Sequence, residues 1–186
     1  MLYFIKNMVC NRCIMVVQNT FESLGYPPTR IILGEVETAN PVSVDDLEKI
    51  RKALVGYGFE MIDDTVSVLI EKIKTLIIDM VHYKGEPIKE NYSVYIESKL
   101  QKDYHYLSNL FSDITGVTIE KYIISQKIER VKELLVYDEL TLSEIAYQQG
   151  YSSVAYLSGQ FKKVTGLTPG HFKQIKENKR KPLDKV

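Results

Sequence analysis

At 186 residues the chain has room for one large or two small domains, each able to bury a core. Hydrophobic residues at 45% and charged residues at 26% are ordinary for a soluble globular protein, and no apolar run reaches the roughly 18 residues a membrane-spanning helix needs. The formal net charge is zero, but residues 1–80 hold 8 Lys/Arg against 11 Asp/Glu and residues 81–186 hold 16 against 13, a C-terminal basic excess that suits a polyanion without identifying one.

The opening Met1-Leu2-Tyr3-Phe4-Ile5-Lys6 does not read as a signal peptide: no basic leader precedes it, and no small-residue cleavage site follows a long apolar core. Residues 1–63 read as a small α/β domain. Leu2 to Met8 is predicted as a strand. Met15, Val16, Phe21 and Leu24 mark a short amphipathic helix ending at Gly25, with Pro27 and Pro28 beyond. Arg30 to Glu37 alternates and is β-branched, which predicts one strand. Gly34 would be a bulge in it, or Thr38 to Val42 a short edge strand interrupted by Pro41. Ser43 caps a helix from Val44 to about Val55, with Asp45 and Asp46 in its first turn. Gly56 and Gly58 end it, and Phe59-Glu60-Met61-Ile62 returns as a last strand.

Met8-Val9-Cys10-Asn11-Arg12-Cys13 lies where the first strand gives way to the first helix. A single C-x-x-C pair argues against a disulfide scaffold and for a reducing cytoplasm. The segment resembles the M-x-C-x-x-C loop of heavy-metal-associated, ferredoxin-like domains. That resemblance implies Cys10 and Cys13 as thiolate ligands of a soft metal such as Cu(I) or Zn. All three histidines lie at 82 or beyond, so the site would be two-coordinate or shared between two subunits. Those domains run β-α-β-β-α-β, and only one strand is evident between Gly25 and Ser43. The pair also fits a redox couple, or two small apolar residues packing the strand–helix corner.

Asp63-Asp64 marks the boundary to an all-α part, residues 64–175. From Thr65 to about Tyr83, Val66, Leu69, Ile70, Ile73, Leu76, Ile77, Met80 and Val81 give a helix with one wide apolar face, broken by Gly85 and Pro87. It would pack within its own domain or also support a homodimer. A first helix-turn-helix unit follows. Tyr92, Tyr95, Ile96 and Leu100 mark its scaffold helix, Asp103 a cap, and Leu107, Leu110 and Phe111 the buried face of a second helix closed by Thr115-Gly116-Val117-Thr118. Tyr104, His105, Tyr106, Ser108 and Asn109 lie outward. Ile119 to Val136 forms a long connecting helix.

In a second unit Leu142, Ile145 and Ala146 face inward, Gly150 takes the turn, Ser152 caps, and Leu157 and Phe161 are buried. Ser153, Val154, Ala155, Tyr156 and Ser158 face outward, with Lys162 and Lys163 at the far end, and Thr165-Gly166-Leu167-Thr168-Pro169 stops the helix. The two units echo each other without a strict internal repeat. A charged tail, residues 176–186, is expected to fray.

A short helix, a glycine turn and a capped second helix form a device for laying a helix in the major groove. The segments Tyr106 to Phe111, Lys127 to Leu135, and Gly150-Tyr151-Ser152 through Pro169 resemble the DNA-binding domain of AraC-type bacterial transcription regulators over about residues 66–175. The resemblance implies reading helices at Tyr104–Asp113 and Ser153–Lys163, in major-groove segments about 34 Å apart. Base-edge candidates are then His105, Tyr106, Ser108 and Asn109, and Ser153, Val154, Ala155 and Ser158, with Tyr104 beside them. Asn109 suits an adenine edge, Val154 and Ala155 thymine methyls, and Arg130, Lys162 and Lys163 phosphates. Gly159 stands where many members carry a basic residue. His105 and Tyr106 also fit packing roles, and Lys162 and Lys163 a plain solvated face.

The whole reads as α+β, a ferredoxin-like α/β domain followed by an all-α double helix-turn-helix domain. The expected function is a cytoplasmic, sequence-specific transcription regulator that binds double-stranded DNA, with RNA polymerase and a second copy as further partners. Its N-terminal domain would sense a soft metal, redox state or a partner. The block is too short for the sugar-binding β-barrel attached to many AraC-type regulators. An enzyme is not expected, since no Ser/His/Asp set, paired carboxylates or phosphate-cradling glycine loop is visible. The competing readings are a metal-binding chaperone or thiol protein with a helical interaction domain, and a module whose helices bind protein.

Overall fold

The computed structural model describes residues 1–62, 65–83, 90–175 and 183. The chain divides into two compact units, Met1–Thr75 and Leu76–Val186. The first holds β1 (Leu2–Lys6), α1 (Asn11–Ser23), β2 (Pro28–Ile32), β3 (Glu35–Thr38), α2 (Val44–Gly56), β4 (Glu60–Ile62) and the opening turns of α3 (Thr65–Ile78). Its sheet runs β2-β3-β1-β4 with every neighbouring pair antiparallel. Strand alternation sends Ile5, Val36 and Met61 to one face, where they close a core with Val17 and Phe21 of α1 and Ile50 and Leu54 of α2. Phe4 looks to the opposite face, where Lys72 of α3 sits 4.9 Å over its ring and pairs with Glu35 at 3.0 Å.

The strand expected over Arg30–Glu37 is two strands. Leu33 and Gly34 form a two-residue turn between them, and Gly34 takes φ +82° while its carbonyl accepts from Ile5 N at 2.9 Å. The β-branched alternation is real on both sides of the glycine, but the chain reverses there. Thr38 to Val42 forms no strand of its own, because Thr38 ends β3. In α1 the buried face is Val17, Thr20 and Phe21, whereas Met15 is 62% exposed and lies off it. The cap of α2 is as expected, with Asp46 N donating to Ser43 Oγ at 3.2 Å. The Asp46 carboxylate accepts from Lys49, Ser43 and Tyr26, which together hold its pKa down to about 2.

In the second unit the helix leaving Ile78 widens into a π-helical turn over Asp79–Tyr83, with Met80, Val81 and His82 buried. The expected breakers Gly85 and Pro87, the boundary pair Asp63-Asp64, and the tail apart from Leu183 lie outside the described residues. The remaining elements are α4 (Tyr92–Leu100), α5 (Tyr104–Thr115), α6 (Ile119–Tyr137), α7 (Leu142–Gln148), α8 (Val154–Thr165) and α9 (Pro169–Ile175). α6 is the spine: α5, α7, α8, α9 and the π-helical turn all pack on it. Its fully buried Gln126 has Oε1 3.0 Å from His82 Nε2, and its Nε2 donates to Tyr122 Oη at 3.0 Å and to Leu183 O at 3.2 Å. Among the described residues, no helix is long and apolar enough to cross a membrane.

The hairpin at Gly34 gives the first prediction. A Cβ there would meet Thr75 Oγ1 at 3.3 Å on a backbone that L-residues rarely adopt. Gly34→Ala is expected to cost about 1–2 kcal/mol of unfolding free energy in chemical denaturation, and an unchanged midpoint would contradict the turn.

Candidate nucleic-acid interface

An offset of 50 residues maps one helix-turn-helix unit onto the other. Asp103 and Ser153 are the caps of α5 and α8, accepting from Tyr106 N and Tyr156 N at 2.9 and 3.1 Å. Leu107 and Phe111, like Leu157 and Phe161, are completely buried. The Thr115 hydroxyl lies 2.7 Å from Phe111 O and 3.1 Å from Val117 O, and the Thr165 hydroxyl lies 2.8 Å from Phe161 O and 3.1 Å from Leu167 O. Gly116 and Gly166 close the helices at φ +75° and +79°. Phe111 meets Tyr122, and Phe161 meets Phe172, with ring centroids 5.5 Å apart in both. The caps, buried positions and glycine stops of the two units therefore repeat in register, a closer correspondence than the echo without strict repeat expected from the sequence. The cap of α8 is also Ser153 and not Ser152: Tyr151 is buried after the Gly150 turn, so the chain reaches the helix one residue later.

Packing these stripes inward fixes what faces out. On α5, His105, Tyr106 and Asn109 are exposed and Ser108 is half-buried; His105 Nε2 and Asn109 Nδ2 lie 3.2 Å apart, one helical turn along the same face. On α8, Ala155, Tyr156, Lys162 and Lys163 are exposed, Ser158 is half-buried, and Val154 is half-buried against the core of its own unit. Tyr104 leans sideways. Its hydroxyl donates to Glu120 Oε1 at 2.5 Å, tying the start of α5 to the start of α6. Burial and that carboxylate push the phenol above its usual range, and the hydrogen bond holds Glu120 below its own. Arg130, on α6, pairs with Glu133 at 2.6 Å, and its side chain is 22% exposed.

Tyr156, outside the expected contact set, occupies the same register as Tyr106; the two are 58% and 51% exposed. The offset is the signal that pairs them. It also exposes a charge difference, because Lys162-Lys163 stand where the first unit has Ser112-Asp113. Lysines in a last turn also favour the negative end of the helix dipole.

In the first unit, Cys10 is the N-cap of α1 and the two thiol sulfurs lie 3.4 Å apart. Cys13 Sγ is also 4.0 Å from Asn7 O, and both cysteines are free and half-buried. Burial raises the Cys10 thiol, but hydrogen bonds from Cys13 and Arg12 outweigh it and leave the group below its ordinary value. Burial and the neighbouring Cys10 raise Cys13. Two thiols this close, on one helical turn, suit a soft cation held by two thiolates, and equally an internal disulfide of about 2.05 Å. Among the described residues, no group of three or more His, Cys, Asp or Glu converges on a metal position, so a four-ligand zinc site is not made by them.

Residues 98–175 match the family model described as a helix-turn-helix domain. The chain is 27% identical over 108 residues to the uncharacterized HTH-type transcriptional regulator YtdP of Bacillus subtilis (strain 168), covering 58% of this chain and 14% of that protein. It is 32% identical over 69 residues to the xylose operon regulatory protein of Escherichia coli (strain K12), covering 37% of this chain and 18% of that protein. The chain thus spans less than a fifth of each of these curated relatives. Among solved structures, the C-terminal domain of AraT, a response regulator from Geobacillus stearothermophilus, aligns with TM-score 0.51 and 23% identity over 60% of this chain and 88% of that one. A DNA-binding transcriptional dual regulator from Escherichia coli K-12 aligns with TM-score 0.50 and 18% identity over 58% of this chain and 91% of that one. At these identities the two structures support the fold of the helical part.

Gly159 lies mid-helix in α8, and a Cβ there would meet nothing within 4 Å. Gly159→Ala is expected to raise unfolding free energy by about 0.5–1 kcal/mol, seen as a higher thermal midpoint. A lower midpoint would mean the position is not open helix surface.

Proposed function

We propose that the helical unit binds double-stranded DNA sequence-specifically, with α5 and α8 in adjacent major-groove segments, and that the chain regulates transcription in the manner of AraC-type regulators. The observation that carries this reading is the repeated reading helix: the same buried stripe, cap and glycine stop, 50 residues apart, presenting His105, Tyr106, Ser108 and Asn109 in one copy and Ala155, Tyr156 and Ser158 in the other. The helix-turn-helix match and relatives named as transcriptional regulators support it. Base edges are read by Asn109 and the small outward side chains, while Lys162 and Lys163 meet phosphates. Arg130 joins them only after leaving Glu133. Tyr104 and Ser153 contribute by fixing the first turns of the reading helices, and Val154 by touching a thymine methyl at the edge of its own core. Contact with RNA polymerase, or with a second copy, would turn occupancy into regulation.

The first unit we read as ferredoxin-like, from its β-α-β-β-α-β order and its β2-β3-β1-β4 sheet. Cys10 and Cys13 are its signal-receiving pair, and the 3.4 Å sulfur separation favours that role over simple packing. Cu(I) is the metal their two-thiolate chemistry suits, supplying a soft acceptor that draws both sulfurs onto one centre.

Two measurements check these readings. A DNA sequence selected by the purified chain from a random pool should bind with an affinity that falls steeply with salt. Lys162→Ala with Lys163→Ala should make the log–log slope shallower by about two units. No selected sequence, or no salt dependence, would overturn the DNA reading. One equivalent of Cu(I) should change affinity for the selected DNA by about fivefold or more, an effect lost in Cys10→Ser. If oxidised glutathione produces the change and Cu(I) does not, the pair responds to redox state; if neither does, the sensor reading is wrong.

A further inference from the structure

Lys127, in the middle of α6, is 9% exposed, and its ammonium is enclosed by groups from both helix-turn-helix units. Its Nζ donates to Gln149 O at 2.5 Å and sits 5.1 Å from the centroid of Tyr92 and 5.0 Å from that of Tyr151. Tyr92 opens α4, the scaffold helix of the first unit, while Gln149 and Tyr151 flank Gly150, the turn of the second. An ammonium removed from water needs replacement for its solvation, and here one carbonyl and two ring faces supply it. Tyr151 is itself 9% exposed, burial pushes its phenol upward, and its hydroxyl has no hydrogen-bond partner among the described residues, so its contribution at this place is the ring. Losing either ring would return part of the desolvation cost, which ties the position of one unit to that of the other.

We infer that Lys127 is a positioning residue that clamps the scaffold helix of the first unit to the turn of the second, and so sets the spacing at which α5 and α8 meet DNA. This rests on the DNA-binding reading above. A lysine that served only to stabilise the fold would weaken binding to every site alike. A spacing clamp should instead govern how sharply the protein discriminates between separations of its two contacted segments.

The test uses the full chain and the DNA sequence selected by the wild type, with one or two base pairs inserted or deleted between the two protected segments. Each base pair moves one segment by about 3.4 Å and rotates it by roughly 35°. Wild type should lose about tenfold in affinity per base pair, whereas Lys127→Met should bind the selected site more weakly yet lose less than about threefold per base pair. Lys127→Arg should restore the sharp profile, and a probe carrying one segment alone should bind wild type and Lys127→Met equally. A folded Lys127→Met that keeps the wild-type spacing profile overturns the inference. If that variant does not fold, Tyr92→Leu, which removes one ring and leaves the carbonyl bond, must flatten the profile in its place; an unchanged profile there overturns it too. A wild type that selects no DNA sequence removes the DNA-binding reading itself, an outcome distinct from an unaltered spacing profile.

Discussion

A twelve-residue helix is too short to hold its shape alone in water, so α5 and α8 each depend on the stripe they bury. In α5 that stripe is Leu107 and Phe111, in α8 Leu157 and Phe161, and each pair is four residues apart and completely enclosed. Fixing two side chains at i and i+4 fixes the rotation of the helix about its axis. Which residues face outward follows from that rotation. The caps and glycine stops then fix where each helix begins and ends.

The same stripes explain the long spine. α6 lends Tyr122 to the first helix-turn-helix and Ile128, Val131, Leu134 and Leu135 to the second, and with Ile119 and Ile123 also buried it is enclosed along much of its length. A helix so enclosed cannot keep all its polar residues in solvent. Gln126, Lys127, Glu129 and Lys132 are buried with partners: Gln126 with Tyr122, Lys127 with the Gln149 carbonyl, and Glu129 with Lys132 at 2.6 Å. Buried polar groups cost little when paired and much when not, so these pairs demand one arrangement of the surrounding helices.

Strong periodicity and cap chemistry made the helical part legible. Asp103 caps α5 as expected, while Thr118 caps α6 and Thr141 caps α7 in a reciprocal capping box with Glu144, two caps that the sequence reading did not name. The misreadings arose where local pattern does not decide. Ser152 and Ser153 are chemically identical caps, and burial of Tyr151 chooses between them. Arg30 to Glu37 keeps a strand's alternation through a reversal that only the left-handed Gly34 permits. The π-helical turn at Asp79–Tyr83 keeps apolar residues inward at Met80 and Val81, so its apolar pattern does not differ from that of an α-helix. Among the candidate contacts, Tyr104 and Arg130 have outward-looking chemistry but are held by Glu120 and Glu133, partners remote from the motif or on the same helix.

What the two units share divides by cause. Leu107 and Leu157, Phe111 and Phe161, Thr115 and Thr165, and Gly116 and Gly166 repeat because packing and helix termination require them. Exposed positions are free to differ, and most do: His105 against Ala155, Asn109 against Gly159, Asp113 against Lys163. Tyr106 and Tyr156 are exposed and nevertheless the same. A ring contact accounts for only one of them, since Tyr156 lies 5.9 Å from the Tyr151 ring, whereas the first unit has Gln101 at the sequence position that corresponds to Tyr151. An identity that the core does not impose falls on the outward face that α5 and α8 have in common, with a phenol in the first turns of each.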